Sequence, residues 1–140
     1  MSELVVVDAS VAVKWLVPEP DAEHAKRLLD GTRVLTAPDF MLLEADNFIC
    51  KLIRRGQATE AEGDAMRASL RKMPVEYHPF EPLLDSACKF ANQTRRSAYD
   101  CLYLALSVSL NGELVTADRP FYDEVRLCAP GMKVKWIGEI

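Results

Sequence analysis

A chain of 140 residues, 49% hydrophobic and 27% charged with a formal net charge of −4, has the size and make-up expected of one globular domain spanning residues 1–140. With no apolar run long enough to cross a bilayer and an acidic balance, it reads as neither a membrane protein nor a general nucleic-acid-coating protein, although a local basic patch remains open. The N-terminal MSELVVVDAS carries an acid where a secretory signal has basic residues, so a cytosolic location is expected.

Strand-like and helix-like segments alternate along the chain. A short β-branched run at 4–7 (LVVV) ends on Asp8, and a helix follows from VAVKWL. Residues 21–30 (DAEHAKRLLD) read as a helix closed by Gly31, 34–37 (VLTA) as a strand, and 39–55 (DFMLLEADNFICKLIRR) as a helix closed by Gly56. The helix at 59–73 opens on a capping box of Thr59 and Glu62. Then come a strand at 75–77 (VEY) and a helix at 81–93 with Pro82 in its first turn. A helix at 97–110 (SAYDCLYLALSVSL) is followed by a strand at 113–116 (ELVT), a short helix at 119–126 and a last strand at 133–137 (KVKWI). Strands separated by helices imply a parallel sheet covered on both faces. The four cysteines, Cys50, Cys88, Cys101 and Cys128, have no CxxC spacing and sit among apolar neighbours, so they read as reduced core residues.

Four acids stand out against this frame. Asp8 follows the first strand directly and Asp118 lies two residues beyond the fourth, which puts both at the carboxyl edge of the sheet, where open α/β sheets bind ligands. Glu44 lies early in its helix, between Met41 at i−3 and Phe48 at i+4, and so flanks the apolar stripe. Asp100 is the one charged residue in an apolar helix, which implies burial and a need for a partner. Each also has a plain reading: Asp8 or Ser10 as a helix cap, Ser97 and Asp100 as a capping pair, Glu44 as a solvated edge residue, Asp118 as a turn residue. Their conjunction is what caps leave unexplained. Carboxylates gathered at one edge repel unless protons or cations compensate, which is the character of a hard-cation site for Mg²⁺ or Mn²⁺. The two histidines, His24 and His78, lie far from these segments, against a zinc site.

The residues that carry this pattern resemble the PIN-domain ribonucleases of the VapC toxin type: VVVDASVAVKWL, LLEADN, SAYDCLYLALS and LVTADRPF, in that order and spacing. The resemblance implies a three-layer α/β/α fold with a five-stranded parallel sheet, in which the first and fourth strands bring Asp8 beside Asp118. It also implies an acidic quartet of Asp8, Glu44, Asp100 and Asp118, with Ser10, Asn47 and Thr116 as supporting polar positions. Cys101 stands where the family often has alanine, and Asp46 adds an acid beside Glu44.

Phosphodiester hydrolysis suits such a site, because divalent cations offset the charge on the attacked phosphate and on the leaving oxygen, with one ion or two. Asp8, Asp100 and Asp118 are then the expected metal ligands and Glu44 an orienting group for water or a further ligand. Arg95 and Arg96 are the preferred RNA-binding pair, with Lys51, Arg54 and Arg55 as a second basic set. The family likeness further implies an RNA substrate, often structured such as tRNA, a VapB-like antitoxin and a homodimer. The antitoxin is expected on a surface of Val13, Leu16, Val17, Phe48 and Met66. The other reading is a catalytically silent PIN-fold binding module acting through its antitoxin. A phosphotransfer protein fits less well, since DASVA lacks a DxD pair.

Overall fold

The computed structural model describes residues 3–140. Its strands are β1 (Glu3–Val7), β2 (Arg33–Pro38), β3 (Val75–His78), β4 (Glu113–Thr116) and β5 (Val134–Trp136). The helices are α1 (Ala9–Ala12), α2 (Ala22–Arg27), α3 (Phe40–Arg54), α4 (Glu60–Lys72), α5 (Leu84–Thr94), α6 (Ala98–Ser109) and α7 (Arg119–Cys128). All strand pairs are parallel, in the order β3-β2-β1-β4-β5. This is the expected three-layer α/β/α arrangement around a five-stranded parallel sheet.

The centre of the sheet explains its layers. Successive strand residues point to opposite faces, yet Val5, Val6 and Val7 are all at most 1% exposed, so helices must cover both sides of β1. One of them, α6, packs against β1, β2 and β4. Every residue from 101 to 107 in it is buried, which is why its sequence is apolar all round rather than striped. By contrast α3 buries only Met41, Ala45 and Ile49, a stripe at four-residue spacing.

The chain leaves β1 toward β2 on one side and meets β4 on the other, so strand order reverses between β1 and β4. Crossovers diverge there, leaving a crevice at the carboxyl ends of the two strands. Val7 pairs with Val115 across it, one residue short of both Asp8 and Thr116.

Local departures from the sequence reading have local causes. The helix expected from VAVKWL is a single turn, α1, that tightens into a 3₁₀ turn at Val13–Trp15. The segment 21–30 is helical only to Arg27 and then closes with Leu28 and Leu29 N–H groups donating to Ala25 and Lys26 carbonyls, ahead of Gly31 at φ +88°. Pro82 sits in a 3₁₀ turn, Glu81–Leu83, that leads into α5. The cysteine expectation holds for Cys101 alone: Cys50 and Cys88 are exposed and Cys128 is half-buried, all four as free thiols. Cys50 follows Ile49 and so falls off the buried stripe of α3. Among the described residues, no helix is long and apolar enough to cross a membrane.

Gly112 joins α6 to β4 where the backbone passes close to β1. A Cβ there would lie 2.3 Å from Leu4 Cδ2 and 3.1 Å from the Leu4 carbonyl oxygen. Gly112→Ala is therefore expected to cost about 1–3 kcal/mol, read as a lower urea midpoint with an unchanged m-value.

Candidate metal centre

Asp8 is the buried anchor of the crevice, with 6% of its surface exposed. Ser10 Oγ donates to its Oδ1 at 2.5 Å, and Thr116 Oγ1 donates to its Oδ2 at 2.5 Å. Each hydroxyl oxygen in turn accepts a backbone N–H, from Ala117 at 3.0 Å for Ser10 and from Asp118 at 3.1 Å for Thr116. The ends of β1 and β4 are thus tied together through one carboxylate. Burial pushes the Asp8 carboxyl up to about 7; the two hydroxyls and the Val11 N–H oppose this, and the charge of Asp100 adds to it.

Asp100 and Asp118 meet through Arg96. One guanidinium nitrogen, Nη2, lies 3.1 Å from Asp100 Oδ2 and 3.2 Å from Asp118 Oδ2. Arg96 Nε is buried without an acceptor, and the guanidinium lies 5.9 Å from the centre of the Phe121 ring. Burial raises the Asp100 carboxyl, Arg96 pulls it down, and Asp118 raises it again. Glu44 approaches from α3. Tyr103, one turn after Asp100 on α6, donates its hydroxyl to Glu44 Oε1. Burial raises Glu44 and the charge of Asp100 contributes, while that hydroxyl works against the rise. The Tyr103 hydroxyl is itself held well above the usual tyrosine range, by burial first and then by Glu44 and Asp8.

Capping and clustering prove compatible. Asp8 does cap α1, accepting the Val11 N–H at 3.3 Å, and Asp118 caps α7, accepting the Phe121 N–H at 3.1 Å. Each has a second oxygen engaged in the crevice, on Thr116 or on Arg96. For α6 the cap is Ser97, whose Oγ accepts the Asp100 N–H at 3.1 Å, while the Asp100 carboxylate reaches Arg96. Asp100 is half-buried rather than fully enclosed, with 28% of its side chain exposed.

The remaining sequence candidates divide. Asn47, one turn beyond Glu44, lines the same two clefts as Glu44. Asp46 faces away, bound by Arg67 at 3.2 Å and Arg71 at 3.1 Å on α4; burial alone would raise it, and the two arginines hold it below the usual carboxylate range. Arg95 ends α5 in a left-handed conformation at φ 60°. Arg96, expected to face substrate, instead faces the acids. Tyr103 was not singled out in the sequence; its position three residues after Asp100, on the same helix face, is the signal that points to it.

A hard divalent cation fits this set. The available donors are carboxylate and hydroxyl oxygens, Asp8 and Glu44 are raised by burial and then by the charge of Asp100, Asp100 is raised by burial and by Asp118, and the nitrogen between Asp100 and Asp118 marks where positive charge settles. Among the described residues, no three His, Cys, Asp or Glu side chains are disposed as a ready cage.

Fold, crevice and acids together define a class with known members. The family model described as PIN domain matches residues 5–125. Ribonuclease VapC3 of Pyrobaculum aerophilum is 32% identical over 116 residues, covering 81% of this chain and 88% of that protein. Among solved structures, VapC20 of Mycobacterium tuberculosis, a toxin that cleaves the sarcin-ricin loop, superposes with a TM-score of 0.65 at 19% identity, covering 91% of this chain and 95% of that one. VapBC2 of Rickettsia felis, solved bound to a DNA fragment from its promoter, gives 0.65 at 14% identity, covering 95% of this chain and 98% of that one. The chain belongs to the PIN-domain family, and within it to the VapC type.

Proposed function

We propose that this protein is an endoribonuclease, the toxin of a VapBC-type toxin–antitoxin pair, which hydrolyses RNA phosphodiester bonds with Mg²⁺ or Mn²⁺ held by Asp8, Asp100 and Asp118. The observation that carries the reading is that Asp100 and Asp118 share Arg96 Nη2 beside the switch point, while Asp8, hung between two hydroxyls, and Glu44, held by Tyr103, are both raised in part by the charge of Asp100. The cation, when bound, supplies charge compensation for the attacked phosphate and the leaving 3′ oxygen. The chain's own groups do the rest. Ser10 and Thr116 fix the Asp8 carboxylate, and Tyr103 takes up Glu44 Oε1, leaving Oε2 to orient an attacking water and accept its proton. In-line attack breaks the bond from phosphorus to the 3′ oxygen and leaves a 5′ phosphate and a 3′ hydroxyl.

Support for the antitoxin comes from a second surface. A 610 Å³ cleft lined by Leu16, Val17, Phe48, Leu52 and Met66, with Glu19, Arg55 and Glu62 also in its walls, offers the mixed apolar and charged groove that takes an amphipathic helix. Val13, expected in that surface, is buried at 7% exposure and borders a smaller adjoining cleft. The protein acts in the cytoplasm as a homodimer in this reading, with structured RNA such as tRNA as its substrate class.

Purified protein freed of antitoxin is expected to cleave RNA with Mg²⁺ or Mn²⁺ and not with EDTA. Asp100→Asn should lower kcat/KM at least about a hundredfold, as several kcal/mol of transition-state charge stabilisation are lost. Cleavage that persists in EDTA or in the variant would remove the site. Antitoxin binding with no RNA cleavage under any divalent cation would favour the silent binding module.

A further inference from the structure

Two clefts share Glu44 and Asn47 as a common wall, and their chemistry differs. On one side lies a 450 Å³ cleft whose other walls are Phe40, Leu43 and Tyr99. On the other lies a 240 Å³ cleft that includes Ser10 and Lys51. Tyr99 immediately precedes Asp100 in α6. Its ring stacks on Phe40 at 5.3 Å with 11° between planes, and Phe40 is braced in turn by Phe80 at 6.0 Å. Tyr99 is nevertheless 61% exposed, and Leu43 beside it 64%. One face of the tyrosine is thus backed by a second ring while the outer part stays in water, at the edge of the acidic crevice.

A flat aromatic surface, an amide carrying both donor and acceptor, and an exposed lysine on the far side of that amide match the parts of a nucleotide. Bases stack on tyrosine, base edges and sugar hydroxyls hydrogen-bond to asparagine, and phosphate pairs with lysine. The core of a protein–protein interface is depleted in charged groups, whereas here the apolar walls adjoin the Glu44 carboxylate within the same cleft. We propose that these paired clefts form a nucleotide subsite, in which an unpaired base of the RNA stacks on Tyr99 while an adjoining phosphate is held by Lys51. The subsite rests on the nuclease reading and adds to it a preference for single-stranded or splayed-out RNA beside the cleaved bond. Asn47 gains a role in it, as a contact to substrate rather than to metal.

The test uses a mixed-sequence single-stranded RNA octamer as probe, with binding followed by fluorescence anisotropy in EDTA and cleavage followed in Mn²⁺. Tyr99→Ala is expected to weaken binding and raise KM by about five- to a hundredfold, the range measured for loss of one stacked base, with kcat little changed. Tyr99→Phe and Tyr99→Trp should restore both. Lys51→Ala should lower the slope of log affinity against log salt by about 0.7, the single-strand value for one phosphate contact, and duplex RNA should show no dependence on Tyr99. Sedimentation of Tyr99→Ala at wild-type mass belongs to the expected result. A fall in mass would mean that a second copy of the chain covers the ring, and would overturn the subsite. Wild-type cleavage with Tyr99→Ala unaltered would overturn the subsite and leave the nuclease reading standing; a wild type that neither binds nor cleaves RNA would overturn both.

Discussion

Asp8→Asn is expected to make the metal-free protein more stable at pH 8, by about 1–3 kcal/mol. The wild-type carboxyl titrates near 7 in the folded state, against 3.8 as its ordinary value, because it is buried. The native state therefore holds its proton to higher pH than the unfolded chain does, and stability falls as pH rises between about 4 and 7. Above 7 the whole penalty is present, about 4 kcal/mol for a difference of that size. Asparagine removes the charge but leaves a hydroxyl proton of Ser10 or Thr116 without its acceptor, which returns about 1–3 kcal/mol. At pH 4 the wild-type group is largely protonated when folded, so the advantage of the variant disappears. Melts in EDTA should show a rise of about 3 °C or more at pH 8 and none at pH 4, together with loss of most of the stabilisation that Mn²⁺ gives wild type. If Asp8 served only as the cap of α1, the variant would be the less stable protein at pH 8 and its metal response would be intact.

Arg96→Ala carries the opposite sign. Its guanidinium nitrogen is shared by Asp100 and Asp118, and removing it leaves two half-buried carboxylates facing each other with no counter-charge. Hydrogen bonds to charged groups of this kind are worth about 1.5–3 kcal/mol. Partial exposure of Arg96, with 27% of its side chain accessible, puts the expected loss at about 1–2 kcal/mol in EDTA at pH 7. Added Mn²⁺ should reverse it, since the ion supplies the charge that the arginine supplied, and the midpoint gain on adding metal should exceed that of wild type. Equal stability of the two proteins in EDTA would show that Arg96 does not hold the acids together.

What could be read from the sequence followed the strength of local constraint. The five strands were legible because each is a short apolar or β-branched run bounded by helix caps and glycines, whereas the placing of β1 beside β4 came from the family resemblance and the full strand order only from the structure. The acids were legible through their conjunction, since each alone has a local use as a cap, an edge or a turn residue, as Asp8 and Asp118 indeed cap α1 and α7. Partner choice was not. Arg96 precedes Asp100 by one helical turn, yet its second contact, with Asp118, exists only because β4 lies beside the start of α6 in space. Tyr103 looked like core because its ring is core; only its hydroxyl, aimed at Glu44 on another helix, gives it a place in the site. The opposite error befell Cys50 and Cys88, whose apolar neighbours in sequence lie on different faces of their helices.

The tie between β1 and β4 has a bearing on how the chain is made. Asp8 and Thr116 are 108 residues apart in sequence, and synthesis proceeds from the N-terminus at about 5–20 residues per second. A nascent chain makes Asp8 and Glu44 well before Thr116 and Asp118, and Asp100 sixteen residues, or about 1–3 s, ahead of Thr116. Until β4 docks on β1, Asp8 lacks one of its two hydroxyl partners, Arg96 has only one acid to hold, and the carboxylates form no common crevice. In the proposed nuclease reading, a product of interrupted translation that stops short of β4 is therefore an incomplete catalyst, because it lacks Thr116 and Asp118.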